Sequence, residues 1–262
     1  MNDRPEMFPV EHPTANPDAE TVVFIHGGNV ANWMWQPQVA GFTDYHVLTP
    51  NLPGFGARAG EDWVSLEAAA DDVAELIAAS ARQGRAHVVG LSLGGVVASR
   101  IAARHPQRVR SVLATGAPLD GVAGLTRTLG GLQLAFWDKP WFWRAQARAF
   151  GLPEDSRQPY VDSGLLIRKP TAERMLNDVY NGGYPDGLES YHGPYLALAG
   201  ERESSIVRKS FPALREHLPQ LVTREVPGMH HIWSVEDVDL FNRVTRQWIE
   251  SGTPATDLLA VR

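Results

Sequence analysis

The run Gly90-Leu91-Ser92-Leu93-Gly94-Gly95 constrains the fold of this chain more than any other segment. It closes a short apolar stretch, His87 to Leu91 (HVVGL), and opens a small-residue helical pattern from Leu93 to Arg104 that Pro106 stops. A strand that turns at once into a helix crowds its own backbone, and glycines relieve the crowding. Such a turn holds the serine in a strained, outward position at the carboxyl end of a sheet. The free N–H groups and positive dipole end of the following helix then point at it. A glycine-rich turn with an ordinary capping serine would use the same letters, but the strand before and the helix after favour a nucleophile.

The rest of the chain supplies a sheet for that turn. Short apolar or β-branched runs occur at Thr21 to His26, His46 to Thr49, Ser111 to Thr115, Tyr195 to Ala199 and Leu221 to Val226. Runs of this kind suit strands buried on both faces, as in parallel sheets. Helical patterns lie between them. Ser65 to Ala81 sets Leu66, Ala69, Val73, Leu76 and Ile77 on one face, with Ser65 able to cap its start. Asp237 to Glu250 sets Leu240, Val244, Trp248 and Ile249 at helical spacing. The alternation predicts an α/β fold with a mostly parallel, doubly wound sheet. Residues 1–20 read as an arm with one short strand, too short for a full opening pair, so a reduced first hairpin is expected.

Residues 121–190 break the rhythm, because connections of a few residues are usual. The segment is rich in large aromatics, among them Trp137, Trp141, Phe142 and Trp143. It reads as an inserted helical cap, with 1–120 and 191–262 as the core. Its tryptophans either fill a small core of their own or line a substrate site. On the second reading Trp137, Trp141 and Trp143 bind an apolar or aromatic group.

Composition removes several function classes. The 262 residues contain no cysteine, which excludes disulfides, thiolate metal sites and a cysteine nucleophile. The formal net charge is −6 and no basic run occurs, so no nucleic-acid or anionic-membrane partner is expected. No stretch approaches the roughly 20 apolar residues of a spanning helix. The polar, Pro-rich start lacks the apolar core of a signal peptide, which favours the cytoplasm. No histidine pair is spaced for a metal, and no phosphate-binding glycine loop occurs. Neither a metal nor another cofactor is expected, and the partner is a small-molecule substrate. Oligomeric state is not legible.

Two further segments carry chemistry. Phe24-Ile25-His26-Gly27-Gly28-Asn29 ends the first long strand. Its glycines admit close approach of a ligand, and the N–H groups of Gly28 and Leu93 together suit an oxyanion. Asn29 offers a side-chain donor beside them, while His26 reads as a structural hydrogen-bonding residue. Val226-Pro227-Gly228-Met229-His230-His231 follows the last strand. A histidine on such a loop can reach the serine, and two adjacent ones compete.

With these segments in view, the chain resembles the α/β-hydrolase superfamily over nearly its whole length. His26-Gly27-Gly28 matches the family's early turn. Asn51-Leu52-Pro53-Gly54-Phe55-Gly56 matches its D-x-P-G-x-G-like segment, with Asn51 in place of Asp. Ser92 matches the nucleophile. The P-G-x-x-H segment implies His231, not His230, as the base, expected within hydrogen-bond reach of Ser92. Gly200-Glu201-Arg202-Glu203 puts Glu203 where the family usually has Asp. Some relatives take the acid from the preceding strand, which makes Asp120 the rival. The resemblance implies a serine esterase acting on a carboxylic ester or related acyl bond through an acyl-enzyme. C–C bond or lactone cleavage on the same fold is the alternative, and a non-catalytic ligand-binding receptor is the alternative of another class.

Overall fold

The computed structural model describes residues 8–261. Seven strands form one sheet: β1 (Glu11–His12), β2 (Thr21–Ile25), β3 (His46–Leu48), β4 (Ala86–Leu91), β5 (Val109–Thr115), β6 (Tyr195–Gly200) and β7 (Val222–Val226). Their order is β1-β3-β2-β4-β5-β6-β7, and every pairing from β3 to β7 is parallel. Reversal of the strand order around β2 makes the sheet doubly wound. Ladder partners Ile25 with Gly90, Leu91 with Thr115, and Gly200 with Val226 bring the carboxyl ends of the central strands to one edge. That edge is where open α/β sheets place their sites.

The two-residue β1 pairs antiparallel with β3, not with its sequence neighbour β2. The expected opening hairpin is therefore not formed among the described residues. Pro13 and Pro17 lie in the connection, where they cannot donate to a ladder.

Helix Leu93–Arg104 packs under the sheet so completely that every residue from Leu93 to Ala103 is buried. This explains its lack of a polar face in the sequence. Helix Leu66–Ser80 instead buries one stripe, and the Ser65 hydroxyl accepts from the Ala68 N–H at 3.1 Å. Helix Val238–Ser251 is capped in the same way by Asp237, whose carboxylate accepts from the Leu240 N–H at 2.9 Å.

The long connection between β5 and β6 is helical, with helices Gly124–Leu132, Pro140–Ala149, Glu154–Leu166 and Lys169–Asn181. Two indole donors of the core hold it: Trp33 Nε1–H to Ser163 Oγ at 2.7 Å, and Trp63 Nε1–H to Asp178 Oδ2 at 2.8 Å. Trp137 and Trp143 are 2 % and 0 % exposed and stack edge to face, each giving its N–H to a backbone carbonyl of the same segment. Gly164 makes room for Trp143, since a Cβ there would lie 2.5 Å from the indole. A short helical insertion has little apolar interior, and two buried indoles supply much of it.

Candidate active site

Ser92 stands at the β4–helix junction with φ 54° and ψ −117°. This left-handed backbone is rare for a residue with a side chain and marks local strain. The junction is tight. A Cβ on Gly90 would lie 2.2 Å from the carbonyl oxygen of Gly94, and one on Gly94 would lie 2.1 Å from that of Ile25. Only residues without a Cβ let the helix start so close to β2 and β4. The Ser92 N–H is fixed by the Thr115 carbonyl at 2.8 Å.

Two N–H groups beside the serine, those of Gly28 and Leu93, have no protein acceptor among the described residues. Leu93 begins its helix, so its N–H is one of the four without an intrahelical partner. The Gly28 turn is held from beneath by His26. Its Nδ1–H donates to the Gly27 carbonyl at 2.7 Å, and its Nε2 accepts from the Leu52 N–H at 3.0 Å. Burial pushes the His26 ring down to about 4, so it stays neutral and can do both. Asn51 has a comparable bracing role, its Oδ1 accepting from the Asn32 N–H at 3.0 Å.

His231 arrives on the loop after β7. Its Nδ1–H donates to Glu203 Oε1, and the other carboxylate oxygen accepts from the Gly200 N–H at 3.0 Å. The Glu203 side chain is buried. Burial works against the charged imidazole, but the Glu203 charge and hydrogen bond outweigh it and hold His231 above the usual histidine value of 6.5. The tautomer set by Glu203 leaves Nε2 as the free ring atom. Ser92 and His231 line the same two cavities, with no hydrogen bond between them among the described residues. Such contacts are often long without substrate and tighten when it binds.

The neighbouring residues sort differently from their sequence positions. His230 is engaged by Glu236, which accepts from its ring Nδ1–H at 2.8 Å and its backbone N–H at 2.9 Å. Asp120 is exposed on the turn after β5 and makes no hydrogen bond to His231. Asn29 lies beside Gly28 and lines a cavity with Ser92. The three tryptophans are not brought to the serine. Trp137 and Trp143 are enclosed within the insertion, and Trp141 is 54 % exposed beside Phe136. Phe150 comes instead, its ring centroid 5.5 Å from that of His231, with Met175 and Val179 along the same wall.

Two participants had no sequence signal. Gly116, with φ +64°, lies against both His231 and Glu203. Trp233 anchors the histidine loop by donating its Nε1–H to Thr115 Oγ1 at 2.8 Å. Among the described residues no three His, Asp or Glu side chains gather to hold a metal ion. No helix among them is long and apolar enough to cross a membrane.

Residues 22–244 match the alpha/beta hydrolase family. The chain belongs to that family. Among relatives of this alpha/beta hydrolase, a pimeloyl-[acyl-carrier protein] methyl ester esterase of Klebsiella pneumoniae is 30 % identical over 223 residues, covering 76 % of this chain and 81 % of that protein. A provisionally named carbamate hydrolase of Yersinia enterocolitica is 34 % identical over 262 residues, covering 91 % of this chain and 90 % of that one. The crystal structure of the enol-lactonase from Burkholderia xenovorans superposes with a TM-score of 0.73 at 19 % identity, covering 89 % of this chain and 92 % of that one, a likeness of fold.

Proposed function

We propose that this alpha/beta hydrolase is a serine hydrolase of carboxylic esters or related acyl bonds, working through an acyl-enzyme on Ser92. The observation that carries the reading is the buried Glu203 carboxylate bound to His231, a histidine that shares two cavities with a serine in a strained, left-handed turn. His231 Nε2 takes the hydroxyl proton as Ser92 Oγ bonds to the substrate carbonyl carbon. Glu203 keeps the imidazole in the required tautomer and stabilises the imidazolium that forms. The carbonyl electrons move onto oxygen, where the Gly28 and Leu93 N–H groups receive the charge. The tetrahedral intermediate then expels the alcohol, which collects the proton from His231. Water attacks the acyl-enzyme by the same route and frees Ser92. No step needs a cofactor.

The helices of 121–190 act as a cap in this reading. Phe150, Met175 and Val179 from that segment line the cavities with Ser92, which supports an apolar contact with substrate. A methyl ester esterase among the relatives supports the ester class, and a carbamate hydrolase extends the acyl bonds worth testing.

A fluorophosphonate probe tests the reading directly. Labelling at Ser92, lost in Ser92→Ala, is expected, together with turnover of activated esters. An unlabelled wild-type protein that turns over no ester would make it a ligand-binding relative instead.

A further inference from the structure

The two cavities beside Ser92 differ in what walls them. The smaller, about 200 Å³, contains Gly28 and Leu93. The larger, about 380 Å³, contains Gly116, Glu203 and His230. His231 lines both cavities, so it serves a leaving group in either. The Gly28 and Leu93 N–H groups, which hold the acyl carbonyl oxygen in the acyl-enzyme reading, line the smaller cavity alone, and that assigns the acyl substituent to it and the alcohol to the larger.

That smaller cavity has apolar walls and a polar corner. Asn29 holds a left-handed backbone, φ 71°, although its Cβ disfavours it. Its Nδ2 points to Gln146 Oε1 at 3.5 Å, an oxygen that also accepts from the Tyr160 hydroxyl at 2.5 Å. Burial keeps the Tyr160 phenol protonated and able to donate. Two amide atoms are left over. Asn29 Oδ1 is buried without a partner, and Gln146 Nε2 donates to no described residue. The Gln146 amide donor is not among the buried atoms and is the one a group in the cavity can reach. No Asp, Glu, Lys or Arg lines this cavity among the described residues, so an ionised group would be desolvated there without a counter-charge.

We propose that Asn29 and Gln146 are the acyl-selecting residues of this enzyme, favouring a short acyl chain that bears a neutral hydrogen-bond acceptor, such as a hydroxyl or an amide carbonyl, over a plain alkyl chain of equal length. The inference rests on Ser92 being the nucleophile and adds the acyl class. The free Gln146 Nε2–H meets an acceptor on the substituent, and Asn29 Nδ2–H positions Gln146 by donating to its Oε1.

The test compares para-nitrophenyl butyrate with para-nitrophenyl beta-hydroxybutyrate on the wild-type protein, the leaving group being the same. We expect kcat/KM to be higher for the hydroxylated ester by about tenfold or more, after correction for the intrinsic hydrolysis rates of the two esters. Gln146→Met removes the amide donor without adding a charge. It should bring the kcat/KM ratio of the hydroxylated to the plain ester to within about twofold of one. Gln146→Leu should do the same. Fluorophosphonate labelling of Ser92 with equal turnover of the two esters, or with the alkyl ester preferred, would overturn this inference and leave the serine-hydrolase reading standing. Absence of both labelling and turnover would overturn both.

Discussion

A Cβ placed on Gly116 would stand 2.9 Å from both Nδ1 and Cε1 of His231. It would also stand 3.0 Å from Glu203 Oε1, so one absent methyl group at the end of β5 makes the space in which the histidine meets its carboxylate. Gly116→Ala should therefore act twice. The left-handed φ of +64° costs a side-chain-bearing residue about 1–2 kcal/mol. The displaced imidazole should lower kcat by about a hundredfold, since misplacement by an ångström can do so. Thermal unfolding and ester kinetics on one preparation check both, and an unchanged kcat would show that the pair has room to spare.

Ser92→Ala removes one oxygen at a turn whose geometry the glycines and the Thr115 carbonyl maintain. Turnover of an activated ester should fall by roughly a thousand- to a million-fold, with the circular dichroism spectrum unchanged. Hydrolysis persisting in highly purified variant would mean that another residue attacks the ester.

Glu203→Gln should separate the two carboxylate candidates. The amide keeps nearly the same shape but no longer fixes the imidazole tautomer, a defect that costs about ten-thousandfold in a serine protease. Asp120→Asn, on an exposed turn, should stay within about twofold of wild type. The opposite pattern in kcat/KM would assign the acid to the strand before.

The pH dependence follows from the raised His231 value. A general base works only when neutral, so kcat/KM should rise with pH along a limb whose midpoint lies above 6.5. Any residual activity of Glu203→Gln should show that limb at lower pH. Stability runs the other way. A folded value above the unfolded one means that protonation of His231 favours the fold. That contribution is fully present below the unfolded value and is lost as pH rises through the folded one. A kcat/KM limb centred below 6.5 in the wild-type protein would contradict the assignment of His231.

Local rules determined much of this protein. Period and punctuation marked the six parallel strands and the three core helices to within a residue or two, because runs buried on both faces and capped helix starts leave direct traces in sequence. Crowding at a strand-to-helix turn likewise made Gly90, Ser92 and Gly94 legible. The tertiary structure decided what depends on approach between distant segments. Nothing near residue 116 in sequence announces that His231 and Glu203 will close over it. Glu203 and Asp120 are equivalent as loop carboxylates until β5 and β6 lie side by side and the histidine loop folds across them. The tryptophans of the insertion were visible as large apolar groups, yet composition does not distinguish an indole that fills a cap from one that lines a site. Trp137 and Trp143 went inward because a short helical segment has few other groups with which to build a core. That left Phe150, Met175, Gln146 and Asn29 to meet the cavity.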